Sequence, residues 1–223
     1  SLEMTKTEIS DRILLSETTI NPTLYQSGID VDRNEIDRSD YKLRQMNISI
    51  NDEMDININY IRSIIRKKYK QRKLGLVIVD YLQLMEGSDK SNKNNEIGSI
   101  TRSLKKLAVK YEFPLILLSQ LSRDLEKRGS KKHKLSDLRD SGNIEQDADI
   151  VLFLTRERFD AEGNDLDYSV EENRQVLIDI AKHRNGSLGT VQIYCNEFVN
   201  NFYEQSNQQE PVRYFNETDN EPF

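Results

Sequence analysis

Apolar and polar positions change period several times along this chain, and each change predicts an element. Between residues 5 and 15 the apolar positions fall at helical spacing, with Ile9, Ile13 and Leu14 on one face and Arg12 beside them; this predicts a helix starting just after Glu3. Residues 18–59 are rich in Asn, Asp and Ser with scattered Ile, Leu and Tyr, a pattern for short helices joined by loops and one short strand near 46–50. Ile58, Ile61, Ile64 and Ile65 then make an apolar stripe opposite Arg62, Arg66, Lys67 and Lys68. That is an amphipathic helix, and its basic face fits ordinary solvated surface.

The stretch Leu76-Val77-Ile78-Val79 is a short apolar run that ends abruptly on Asp80, which predicts a buried strand with the acid at its exit. In open α/β sheets ligands bind outside the carboxyl ends of the strands, so a carboxylate there can reach a metal-bound phosphate. The run alone fits equally a parallel core strand ending in a turn aspartate. After a polar loop at 87–95, Ile97, Ile100, Leu104, Leu107, Ala108 and Tyr111 repeat at helical spacing, and Pro114 leads into a second buried strand, Leu115-Ile116-Leu117-Leu118. Strand, helix, strand is a βαβ unit, for which a parallel sheet with helices on both faces is expected.

Beyond it, residues 119–149 mix charge with turn residues, and 150–154 form another apolar run. Two β-branched strands follow at 175–182 and 190–195, with Asn185-Gly186 between them as a hairpin signal. Residues 204–223 carry no periodicity and are expected to be a disordered tail. The fold class predicted is α/β, with a mostly parallel sheet flanked by helices and a C-terminal β-hairpin.

Composition changes this picture in a few places. The 223 residues can bury one large core, and 36% hydrophobic with 31% charged residues suits a polar globular protein. The apolar runs fall well short of the roughly 20 residues that span a bilayer, so no membrane partner is expected. Cys195 stands alone, which excludes an internal disulfide framework and suits a reducing compartment. A net charge of −6 does not exclude nucleic acid, because Lys and Arg cluster at 62–73 and 123–139. The second cluster lacks interleaved aromatics, which favours tracking of a phosphate backbone over base stacking, with a solvated loop as the alternative.

Candidate chemistry gathers at strand ends. Gln120 follows the second buried strand through Ser119, so its amide stands at the same sheet edge as Asp80, where it can bond a γ-phosphate or an attacking water. A Ser-Gln turn without a ligand fits the same residues. Lys182 and Arg184 are two apart where a strand enters a hairpin, and an extended backbone would point both cations to one side, suited to a phosphate or to a solvated hairpin tip. His133, His183 and Cys195 have no partners at ligand spacing, which argues against a zinc site. The phosphate-cradling pattern G-x-x-x-x-G-K-S/T is absent.

Ser1-Leu2-Glu3-Met4, Asp80-Tyr81-Leu82-Gln83-Leu84-Met85, Leu118-Ser119-Gln120-Leu121, Lys182-His183-Arg184-Asn185-Gly186 and the run from Asp137 to Asp149 together resemble the DnaB-type replicative DNA helicases, in order and spacing over residues 1–203. The resemblance implies a RecA-like P-loop NTPase core, incomplete at its N-terminus, in a homo-hexameric ring. It implies ATP hydrolysis with Mg2+ at subunit interfaces and 5′ to 3′ movement on single-stranded DNA at the replication fork. By motif, Glu3 takes the place of the glutamate that activates water, Asp80 that of the Walker B acid holding Mg2+ through water, and Gln120 that of the γ-phosphate-sensing glutamine. Arg12 matches a nucleotide-contacting arginine, and Lys182 with Arg184 the pair that reaches a neighbour's phosphates. Arg139, Asp140 and Gly142 match the loop on the DNA backbone, with Asp140 where the family more usually has glutamate.

The resemblance further implies a primase and a helicase loader as partners, and a bacterial or phage cytoplasm or a plastid stroma as location. The family's N-terminal helical domain and its P-loop have no counterpart here, so residues 1–203 match part of an ATPase domain. A chain opening on Ser would also be expected of the part that follows an intein. Two alternatives stand beside this: a truncated, non-catalytic helicase fragment acting as an interaction protein, and a RecA-like recombination or repair ATPase, which the Ile144–Asp149 stretch disfavours.

Overall fold

The computed structural model describes residues 1–28, 31–53, 56–85, 93–121, 133–138, 141–156, 175–196 and 201–204. Their elements are α1 (Lys6–Ser16), α2 (Pro22–Gln26), α3 (Arg33–Gln45), α4 (Ile58–Gln71), β1 (Val77–Val79), α5 (Lys93–Tyr111), β2 (Leu115–Leu117), α6 (Ser141–Asp147), β3 (Ile150–Thr155), β4 (Gln175–His183), β5 (Gly189–Asn196) and β6 (Asn201–Tyr203). Short 3₁₀ turns lie at Leu82–Leu84 and Leu135–Asp137. The chain divides into two compact units, one of Ser1–Lys6 with Ile50–Ala148, the other of Thr7–Ser49 with the described residues from Asp149 onward.

In the first unit the βαβ arrangement forms as the apolar periods require. β1 and β2 pair in parallel, Val77 opposite Leu115 and Val79 opposite Leu117, with α5 between them in sequence. Val77 and Leu115 pack with Ile65, Leu107 and Phe113, so α4 and α5 supply the core on that face. Asn57 starts α4 by accepting hydrogen bonds from the Asn59 and Tyr60 N–H groups, and its Arg62, Arg66 and Lys67 are exposed. Ile78, Ile116 and Leu118, on the other face, are 57%, 47% and 44% exposed, so helices on both faces are not found among the described residues. Strand alternation puts every second residue there, and the described residues of this unit bring no element to cover it.

α6 is fastened to α5 at two places. The buried Thr101 hydroxyl donates to the Asp147 carboxylate at 2.6 Å, and the Asn143 side chain fills the space where a Cβ on Gly98 would be, 2.5 Å from the Asn143 Cγ. An isolated antiparallel bridge, Leu121 opposite Leu138, joins the two ends of the basic stretch, most of which lies outside the described residues.

The second unit holds the sheet β3-β4-β5-β6, antiparallel throughout. One ladder of the described four is therefore parallel, so antiparallel pairing carries more of the α/β fold than the expected mostly parallel sheet. The hairpin β4–β5 forms as expected, and β3 alternates as a strand should, with Val151 and Phe153 buried and Ile150, Leu152 and Leu154 exposed. Leu15 is the most buried residue of α1, while Ile9, Ile13 and Leu14 are half-buried. Ser39 of α3 is buried and donates to the Leu14 carbonyl at 2.8 Å.

The strand expected near 46–50 does not form. Met46 and Ile48 alternate correctly but are 47% and 52% exposed and have no partner strand, and an unpaired strand leaves its backbone groups to water. The polar loop at 87–95 lies mostly outside the described residues, whereas Lys93 already begins α5. All but Glu204 of the expected tail lies outside them as well.

Candidate nucleotide site

Because β1 and β2 run parallel, their carboxyl ends share one edge, and Asp80 and Gln120 both stand there. Asp80 directly follows β1 and is half-buried. The Ser1 hydroxyl donates to its Oδ2 at 3.2 Å, and the Leu2 N–H donates to its carbonyl at 2.7 Å. The same Ser1 oxygen accepts from the Glu3 and Met4 N–H groups at 3.4 and 3.2 Å. One serine thus folds the Glu3 backbone back onto the strand that carries Asp80, and the Glu3 side chain is left exposed.

Gln120 is held through its peptide group. The Gln83 Oε1 accepts from the Gln120 N–H at 3.1 Å, and the Gln83 Nε2 donates to the Ser119 Oγ at 2.8 Å and, at 3.4 Å, to the Gln120 carbonyl. Gln83 is delivered there by the 3₁₀ turn after Asp80, whose Leu82 is fully buried and whose Leu82 N–H donates to the Leu118 carbonyl at 3.0 Å. The Gln120 side chain itself is exposed.

No group of three or more His, Cys, Asp or Glu side chains among the described residues could cage a metal. One carboxylate at a strand exit fits Mg2+, which keeps several waters and is bound by one or two carboxylates together with substrate phosphates. Asp80 would hold it. When bound, the ion would neutralise charge on the phosphates.

In the second unit Arg12 is exposed on α1. Lys182 lies within β4 opposite Val151, but β4 ends at His183, so Arg184 has already turned out of the extended backbone that would have aligned the two cations. The turn through Asn185 and Gly186 begins there, and Asp149 captures Arg184: its N–H donates to the Asp149 carbonyl at 2.8 Å, and its guanidinium lies 3.0 Å from the Asp149 carboxylate. The His183 ring fills the space a Cβ on Gly186 would take, which is why a glycine serves at that turn. Of the expected DNA loop, Gly142 is exposed in the first turn of α6, whereas Arg139 and Asp140 lie outside the described residues.

Comparison with known proteins decides the family. The model of the DnaB-like helicase C terminal domain matches residues 1–204. The chain belongs to the DnaB-like helicase C-terminal domain family. A probable replicative DNA helicase of Trieres chinensis is 40% identical over 209 residues, covering 92% of this chain and 45% of the relative. The replicative DNA helicase DnaB of Geobacillus stearothermophilus is also 40% identical, over 90% of this chain and 44% of its own. This helicase domain therefore spans less than half the length of the curated relatives it matches.

Solved structures agree on the RecA-like α/β fold. A helicase ATPase domain superposes with a TM-score of 0.83 at 34% identity, covering 92% of this chain and 72% of that one. A DnaB-like replicative helicase, described with its interactions with primase, superposes with a TM-score of 0.81 at 34% identity, covering 91% and 50%. Three residues of the helicase domain escaped the sequence reading: Ser1, Gln83 and Asp149. Gln83 alone left a trace, as the one polar side chain in Leu82-Gln83-Leu84-Met85.

Proposed function

We propose that the chain is part of a homo-hexameric replicative helicase that couples ATP hydrolysis to 5′ to 3′ translocation on single-stranded DNA and opens duplex at the replication fork. Asp80 and Gln120, side by side at one parallel-strand edge, carry this reading. In it Glu3 activates the attacking water, Asp80 holds Mg2+ through water, and Gln120 bonds the γ-phosphate. Arg12 contacts nucleotide, Lys182 and Arg184 reach a neighbouring subunit's phosphates, and Arg139, Asp140 and Gly142 meet the DNA backbone.

The primase seen with the structural relative is the partner class proposed here, together with a loader, in a bacterial or phage cytoplasm or a plastid stroma; no helix among the described residues is long and apolar enough to cross a membrane. Residues 1–203 act as part of the ATPase domain. The phosphate cradle that ATP needs has no motif within them, so the 223 residues alone should show no turnover.

Glu3→Gln in the full-length protein tests the reading. Loss of the base should lower DNA-stimulated ATP hydrolysis by about 10²–10⁴-fold while nucleotide binding is kept. Unchanged turnover would remove Glu3 from the role.

A further inference from the structure

The Gln120 peptide stands just past the end of β2, where strand pairing has stopped and its N–H and C=O need other partners. The Gln83 side chain supplies both, accepting from the N–H at 3.1 Å and donating to the C=O at 3.4 Å, with a shorter bond to the Ser119 Oγ at 2.8 Å. A side-chain amide has the same donor and acceptor as a peptide, so Gln83 acts here as a one-residue stand-in for a neighbouring strand. It is itself anchored: Leu82, the residue before it, is 0% exposed and bonds the Leu118 carbonyl at 3.0 Å. The turn that carries Gln83 starts two residues after Asp80. The exits of β1 and β2 are thereby tied by side chain as well as by ladder.

We propose that Gln83 is a positioning residue for the sensor: it locks the Gln120 peptide at a fixed place beside Asp80, so that only the Gln120 side chain is left to respond to the γ-phosphate. This rests on the reading of Gln120 as the γ-phosphate contact. Positioning of this kind affects the chemical step more than ground-state affinity, because a reacting geometry tolerates little displacement. Removing Gln83 should therefore lower kcat and leave KM nearly unchanged.

The test uses the full-length protein with Gln83→Ala, the isosteric Gln83→Glu, which keeps the acceptor and loses both donor bonds, and Gln120→Ala. Hydrogen exchange without nucleotide reads the clamp directly: the Gln120 amide should exchange about tenfold faster in Gln83→Ala than in wild type. DNA-stimulated hydrolysis should then show kcat reduced about 10- to 100-fold in both Gln83 variants, with KM for ATP moved less than about twofold. Wild-type exchange at Gln120, or a KM effect in place of the kcat effect, overturns the proposal. Wild-type kcat in the Gln83 variants while Gln120→Ala is slow overturns the positioning role alone. Wild-type kcat in Gln120→Ala overturns the sensor reading on which the proposal stands.

Discussion

In the parallel pair β1–β2 the groups at the strand exits are fixed through their backbones, whereas at the antiparallel hairpin β4–β5 it is a charged side chain that is held. The Asp80 carbonyl receives Leu2, the Gln120 peptide is bracketed by Gln83, and the Glu3 and Gln120 side chains stay exposed. Arg184 instead has its guanidinium 3.0 Å from Asp149. The first arrangement presents groups already placed for a ligand. The second stores a cation that must exchange a carboxylate for a phosphate before it can act on a neighbour. The size of the ion pair decides whether that exchange is an obstacle. Arg184 and Asp149 side chains are 50% and 52% exposed, and an exposed pair is worth about 0–1 kcal/mol. Asp149 therefore orients Arg184 without trapping it.

The largest effect that can break this comparison comes from the two partners taken separately. Arg184→Ala in the full-length protein should lower DNA-stimulated ATP hydrolysis by about 10³-fold or more, the scale of a trans-acting arginine. Asp149→Ala should change it by less than about fivefold, because so exposed a pair contributes so little. Equal losses in the two variants would mean that the ion pair, and not the free arginine, is the working state.

That contrast also explains what was legible in the sequence. Asp80 and Gln120 each end an apolar run, and once both runs are strands of one βαβ unit their exits must share an edge. Gln83 and Asp149 carry no such mark, since their partners lie 37 residues away in one case and across a four-strand sheet's turn in the other. Register between distant segments, which brings such side chains together, is not written in local periodicity. The same limit produced the false strand near 46–50, where Met46 and Ile48 alternate with nothing to pair against. β6 was missed for the opposite reason: Asn201-Phe202-Tyr203 is too short to show a period and forms by pairing with β5.

A smaller effect tests whether the first unit's rigidity extends to α6, which carries Gly142. Thr101→Val keeps the side chain's shape and removes the hydroxyl that donates to Asp147 at 2.6 Å. An acceptor left without its donor costs about 1–3 kcal/mol, read as a lower denaturant midpoint at unchanged slope. An unchanged midpoint would mean that Gly98 and Asn143 packing alone fastens α6.

Acid should loosen the start of α1 before it loosens the sheets. The Lys6 backbone N–H donates to Asp52 at 3.0 Å and, as the leading cause, holds its carboxyl below the ordinary 3.8. A depressed carboxyl contributes stability that is present above 3.8 and is lost as pH falls through the lower folded value. Asp52→Asn removes the titrating charge, so below pH 3.8 its stability should fall less steeply than that of wild type. Parallel acid profiles would remove Asp52 from this role.

The smallest effect separates backbone strain from contact at the end of α5. Glu112 sits at φ 53°, left-handed backbone that glycine adopts freely, and lets Phe113 N–H close back on the Ala108 carbonyl at 3.2 Å before Pro114 starts toward β2. Its one printed ion pair, to Lys73 at 3.6 Å, is 69% and 76% exposed and contributes little. Glu112→Gly should therefore stabilise the protein by about 0.5–1 kcal/mol, net of the added flexibility of the unfolded chain, and raise Tm by about 1–4 °C. A lower Tm would show that the Lys73 pair outweighs the strain, and that side-chain contacts in this unit count for more than its backbone-held strand exits suggest.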